Sequence, residues 1–293
     1  MARERLGGQR FYKMTGSGND FVVLDAMETP LATLPDAELV AQLCDRRNGI
    51  GADGVVVLDR SATAAARMIY FNRDGTRGEM CGNAALCSTR LVSELGHMMA
   101  GTETFTLETD SGFLTVGIGA NRAGRDARAS SVTTPWIELP IPEELDDDVP
   151  LVPLPGETRF GFARVGVPHL VVLCEAGHEP VVEERGRALR HDGQFAHGAN
   201  VNFVMPRRGK PWRIRTFERG VEAETLACGT GTGASALLLA CWGLESTGVA
   251  IPFETTSGKA LSVELPDGPL PSGRPRLRGE GRLVFSGELR ELA

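Results

Sequence analysis

Long apolar runs are missing from this 293-residue chain. The longest, 236–242 inside ASALLLACWGL, falls far short of the ~20 residues a membrane-spanning helix needs. Positive charge is not in excess either. Thirty-one basic residues face 38 acidic ones, a net charge of −7, and no basic stripe stands out, which argues against nucleic acid as a partner. Arg3, Glu4, Arg5 and Arg10 are followed by no apolar segment that could serve as a signal sequence, so a cytoplasmic location is expected. The six cysteines and five histidines show no Cys-x-x-Cys or His-x-x-x-His spacing, so no metal is expected. There is no Gly-Lys-Ser/Thr phosphate loop, and GTGTGAS (229–235) fits a dinucleotide loop imperfectly.

What is present is an ordinary globular composition, 42% hydrophobic and 24% charged. A chain of this length makes one large domain or two of about 150 residues. It can bury a sizeable core without disulfide staples, and reduced thiols are the expectation.

The chain also repeats itself. GSGNDFVVLD (16–25) resembles RVGVPHLVVLC (164–174), YFNRDGTRGEMCGNAAL (70–86) resembles RTFERGVEAETLACGTGTG (215–233), and FTLETDSGFLTVGI (105–118) resembles IPFETTSGKALSVEL (251–265). Cys81 and Cys228 lie 147 positions apart, Gly112 and Gly258 lie 146 apart, and the order of segments is kept. Two related halves follow. Residues 1–128 carry Cys81 and are completed by 276–293, and 129–275 carry Cys228. The polar stretch ANRAGRDARASS (120–131) is the join.

Alternating or β-branched runs predict strands at 21–25, 54–59, 66–72, 105–109 and 113–119. Apolar periodicity predicts helices over 36–47, over 83–96 ending at Gly96, and over 231–243 ending at Gly243. The fold class is therefore α/β (α+β), with Cys81 and Cys228 each just ahead of a helix.

The position has a chemical meaning. The first turn of a helix presents unpaired N–H groups and the positive end of the dipole, which can hold a carboxylate. The same field is expected to lower a thiol's pKa from ~8.5. Read alone, Cys81 could be a packing residue, a ligand or a reactive thiol. Its counterpart Cys228 narrows the choice to half of an acid–base pair. Two such thiols on opposite faces of an amino-acid α-carbon could invert it, one removing a proton and the other supplying one. The N–H groups would stabilise the charge that develops between the two steps.

Seven stretches carry a family resemblance: KMTGSGNDFVVLD (13–25), NGIGADG (48–54), FNRDGT (71–76), MCGN (80–83), PHLVV (168–172), GANVNFV (198–204) and ERGVEAETLACGTG (218–231). Together they make the chain resemble the diaminopimelate epimerases, over nearly its whole length. That resemblance implies two pseudo-symmetric domains of similar topology, each a sheet wrapped around a central helix, with the active site in the cleft between them. It implies no cofactor and a small-molecule partner, diaminopimelate, in lysine biosynthesis. A homodimer is one expectation for the assembly. By position, the paired catalytic thiols fall on Cys81 and Cys228, and the backbone cradle on Gly82, Asn83, Gly229 and Thr230. Substrate-binding positions fall on Asn19, Asn72, Asn200, Glu218 and Arg219. His169 and Glu218 match positions that tune the thiols.

The chain departs from the family pattern at Val167, Ala84 and Leu86, where an Asn, a Gly and an Arg are common. Val167 motivates the alternatives of another amino-acid substrate, such as histidine, or a phenazine-type isomerisation. A non-catalytic amino-acid-binding module is the reading from another class. Cys44, Cys87, Cys174 and Cys241 are expected in the core, and His97, His178, His191 and His197 on the surface. Arg46 and Arg47 are expected only to complement a helix dipole.

Overall fold

A computed structural model describes residues 6–98, 102–120 and 133–290. These divide into two compact units: one holds the described residues up to 120, 133–137 and 279–290, and the other holds 138–278.

The first unit begins with a hairpin, β1 (Arg10–Gly16) and β2 (Asn19–Asp25). It continues through α1 (Ala37–Cys44), β3 (Gly54–Asp59), β4 (Ala66–Asn72), β5 (Arg77–Gly78), α2 (Gly82–Glu94), β6 (Thr104–Thr109), β7 (Gly112–Ala120) and β8 (Thr133–Glu138). Strand β2 pairs parallel with β3, β3 antiparallel with β4, and β4 parallel with β6. The polar join and the expected boundary at 128 lie outside the described residues, and β8, which follows them, pairs with β7 of the first unit.

The second unit opens with β9 (Glu143–Asp146), which pairs with β10 (Glu157–Val165). It then repeats the first order: β11 (Val167–Cys174), α3 (Val182–Arg190), β12 (Asn200–Met205), β13 (Trp212–Glu218), β14 (Ala223–Thr225), α4 (Gly229–Cys241), β15 (Ala250–Glu254) and β16 (Ala260–Glu264), with β17 (Arg276–Gly279) at its end. The pairing repeats as well. Strand β11 runs parallel to β12, β12 antiparallel to β13, and β13 parallel to β15. The last strand, β18 (Arg282–Glu288), pairs antiparallel with β1.

The strands are apolar on both faces because both faces are covered. In the first unit Val22, Leu24, Val55, Val57, Ile69 and Phe71 pack with Leu39, Val40 and Leu43 of α1. The opposite face meets α2, where Ala84, Ala85, Leu86, Cys87, Leu91 and Val92 are all fully buried. In the second unit Leu170, Val172, Val201, Phe203 and Phe217 pack with Val182 and Leu189 of α3. There α4 is buried from Gly231 to Leu239 against β10, β11, β12 and β16. A helix apolar all round belongs in the middle of a layer, and its small residues let the sheet close on it. Among the described residues, no helix is long and apolar enough to cross a membrane.

Of the expected core cysteines, Cys44, Cys87 and Cys174 are buried, while Cys241 is only half-buried. Of the expected surface histidines, His191 and His197 are exposed. His178 is half-buried beside Gly156, and His97 is half-buried at the end of α2.

Candidate active site

Cys81 and Cys228 occupy equivalent places. Each is the N-cap of its unit's central helix, in extended backbone: φ −135°, ψ 119° for Cys81 and φ −121°, ψ 111° for Cys228. Both are half-exposed. Their carbonyls accept from Ala85 and Thr232, so the helices begin at once and the N–H groups of the intervening residues face outward. The helices start at Gly82 and Gly229, one and two residues earlier than the apolar periodicity predicts, because a first turn of Gly, Asn and Thr carries no apolar signal.

In the first unit a polar chain leads to this turn. Asn83 Nδ2 donates to Asn19 Oδ1 at 2.9 Å, and Asn19 Nδ2 donates to Asp53 at 3.3 Å. Arg46 holds Asp53 at 2.8 Å and grips both oxygens of Asp20 at 2.7 and 2.9 Å. Lys13 donates to Asp20 at 2.6 Å and to the Gly51 carbonyl. Burial opposes ionisation of Asp20, but Arg46 and Lys13 together hold its carboxyl well below the usual range. Arg46 is therefore no dipole complement: it braces the strand ends from which Asn19 reaches Asn83. Gly16 has the same dependence, since a methyl there would lie 2.8 Å from the Asn83 carbonyl and 3.0 Å from Cys87 Sγ. Asn72 is exposed and bonded within its own turn, to Thr76 Oγ1 at 3.0 Å.

The two departures on α2, Ala84 and Leu86, are both completely buried. An apolar helix face has replaced what a charged residue at 86 would have to satisfy.

In the second unit the register aligns His169 with Asn200 on the adjacent strand, and Asn202 with Thr216. Strand alternation puts Asn200 and Asn202 on one face, with Thr216 and Glu218 beside them. Asn200 Oδ1 accepts from the Arg219 N–H at 2.8 Å, and the Arg219 guanidinium donates to the His197 carbonyl at 3.1 Å. Asn202 accepts from Thr216 at 3.0 Å and donates to the Leu170 carbonyl at 3.1 Å and to His169 Nδ1 at 3.2 Å. The first turn of α4 rests on this row, where a methyl at Gly231 would overlap Asn202 Oδ1.

The electrostatics of this unit differ from the sequence expectation. The Cys228 thiol is pushed well above its ordinary value, by burial first and the nearby Glu218 charge second. The Gly231 N–H, 3.4 Å from Sγ, and the Thr230 hydroxyl, 3.6 Å away, pull it down without prevailing. The helix N-terminus is present, but desolvation and a carboxylate outweigh it. Burial raises the Glu218 carboxyl in turn, against the pull of the Cys228 thiol and the Thr225 hydroxyl. Burial, helped by the Arg219 charge, lowers His169 to about 3. His169 is completely buried, and its Nε2 has no partner among the described residues.

Sequence reading missed Asp20, Arg46, Asp53, Asn202 and Thr216. One signal was available for Asn202: in NVNFVM (200–205) two asparagines recur at period two on an otherwise apolar, fully buried strand.

Comparison with known proteins is consistent. The family model described as diaminopimelate epimerase matches residues 11–125 and 161–271. A diaminopimelate epimerase of Gemmatimonas aurantiaca is 44% identical over 288 residues, covering 95% of this chain and 98% of the relative. One from Caldanaerobacter subterraneus is 34% identical, covering 96% and 99%. In fold, the chain is similar to a Bacillus anthracis phenazine biosynthesis protein of the PhzF family (TM-score 0.69, 15% identity, 96% and 98% covered). It is likewise similar to a hydroxyproline epimerase from Agrobacterium vitis (TM-score 0.65, 18% identity, 99% and 95% covered).

Proposed function

The chain belongs to the diaminopimelate epimerase family, and from that membership we propose that it interconverts LL- and meso-diaminopimelate with Cys81 and Cys228 as its acid–base pair. The observation that carries the residue assignment is equivalence. In two units of the same element order, the same residue type caps the same buried helix.

The reaction is proton exchange at one α-carbon. A thiolate takes the α-proton as S–H, and the bonding pair stays on the carbon and its carboxylate. The second thiol then delivers its proton to the opposite face. The electrons balance without an oxidant, and the enzyme ends with its two protonation states exchanged. The difficulty is the weak acidity of the α-proton. The outward N–H groups of Gly82 and Asn83, with those of Gly229 and Thr230, are the donors that would stabilise the developing charge on the carboxylate.

Burial and Glu218 favour the protonated Cys228, so this residue serves as the acid at rest. Glu218 is the neighbour able to receive its proton when the direction reverses. Arg219 offers a planar fork for a carboxylate of the substrate, while Asn19, Asn72 and Asn200 supply neutral donors and acceptors. His169, held neutral, supports the row from which Asn200 and Glu218 project.

The test is incubation with LL-diaminopimelate in D2O without added pyridoxal phosphate. Appearance of the meso isomer carrying deuterium at one α-carbon is the expected result. If neither isomer exchanges, the proposal is wrong. The departure at Val167 keeps one second reading in play, the same chemistry on another amino acid, which a racemisation panel including histidine separates.

A further inference from the structure

At the far end of α2 from Cys81, three side chains converge that the proposed reaction does not use. One ligand atom each from Asp25, Glu28 and His97 lies within 4.8 Å of the others. We propose that these residues form a divalent transition-metal site of the zinc type.

Asp25 ends β2 and is 1% exposed. Its Oδ1 accepts from the Met27 N–H at 3.0 Å and the Glu28 N–H at 3.3 Å, which fixes the carboxylate plane. Its Oδ2 is buried and has no partner among the described residues. A buried carboxylate oxygen left unpaired is costly, and a cation is one way to satisfy it. His97 Nε2 is likewise buried and has no partner among the described residues. The His97 backbone is fixed as well. Its N–H donates to the Val92 carbonyl and that of Gly96 to Ser93, the Schellman arrangement, with Gly96 at φ 73°. Two of the three ligands are thus set by backbone geometry, while exposed Glu28 is free to adjust.

The chemistry suits such an ion. One imidazole and two carboxylates leave coordination positions for water, a donor set that Zn²⁺ accepts. Donor atoms on a tetrahedral zinc stand ~3.4 Å apart, so the cluster needs a small inward movement, which the Glu28 side chain can supply. The carbonyl end of α2 adds negative potential. Other groups border the cluster. Arg60 donates to the Met27 carbonyl at 2.8 Å, and the Tyr12 phenol is raised by burial and, beyond that, by the charges of Asp25 and Glu28, against the pull of Arg10. No spacing motif betrays the site, because Asp25 and His97 meet only through the fold. It lies about 20 Å along the 13-residue helix from Cys81, so its effect is on the stability of the first unit.

The experiment titrates the full chain with Zn²⁺ after chelator dialysis, in a Cys81→Ser/Cys228→Ser background so that the half-exposed thiols do not compete. One equivalent of bound Zn²⁺ and a raised Tm are expected. His97→Ala should weaken binding at least tenfold and abolish the rise. Glu28→Gln, an exposed change that keeps the fold, should also weaken binding. Absence of Zn²⁺ uptake, or unchanged affinity in both variants, overturns the proposal.

Discussion

Asn202 donates to His169 Nδ1 at 3.2 Å, and this one bond settles the state of a completely buried imidazole. A neutral ring whose Nδ1 accepts carries its proton on Nε2. Asn202 can hold that orientation because Thr216 and the Leu170 carbonyl occupy its other groups.

The first consequence is for stability. His169 takes a proton at about 3 in the folded chain and near 6.5 when unfolded. Between those values the unfolded chain binds more protons, so stability is complete above about pH 6.5 and declines as the pH falls toward 3. The slope from this group approaches about 1.4 kcal/mol per pH unit. Denaturant titrations from pH 7 to 4 should show it, and His169→Gln should flatten it at a lower overall stability. An unchanged slope in the variant would sink the assignment.

Glu218→Gln removes a charge that raises the Cys228 thiol. The pH profile of iodoacetamide alkylation at Cys228 should shift to lower pH, while epimerase turnover falls because the proton has lost its acceptor. An alkylation profile that stays in place would show that burial alone governs the thiol.

Cys81→Ser and Cys228→Ser should each reduce kcat by about 10²–10⁴-fold, with small changes in KM. A serine hydroxyl keeps the hydrogen bonds and loses the acidity. A variant with near wild-type kcat would remove that residue from the pair.

Gly231→Ala places a methyl onto Asn202 Oδ1. The first turn of α4 must lift or Asn202 must rotate, costing roughly 1–3 kcal/mol in stability and disturbing Cys228 with it. Calorimetry and steady-state kinetics should report both losses together. Gly243→Ala, where space is open but φ is 70°, should lower Tm without altering KM.

Much of this was legible in sequence. Strands with two covered faces are unbroken apolar runs, so β2, β3 and β4 announce themselves, and the thiol pair follows from duplication. Helix α3 does not, because VEERGRALR buries only Val182, Gly186 and Leu189. Gly186 stands where a methyl would press on Phe217, a reason for glycine that no periodicity reveals. The thiol environment was misjudged for a related cause. A helix N-terminus can be read from sequence, whereas the Glu218 carboxylate beside Cys228 comes from a different strand.

The return of β18 to β1 has a consequence in time. Residues 138–278 are contiguous in sequence, whereas the edge of β1 stays open until residues 282–288 have been made and have paired with it. The half of the protein that comes first in sequence is therefore closed by its last strand, and a chain cut short before β18 would leave one edge of β1 unpaired.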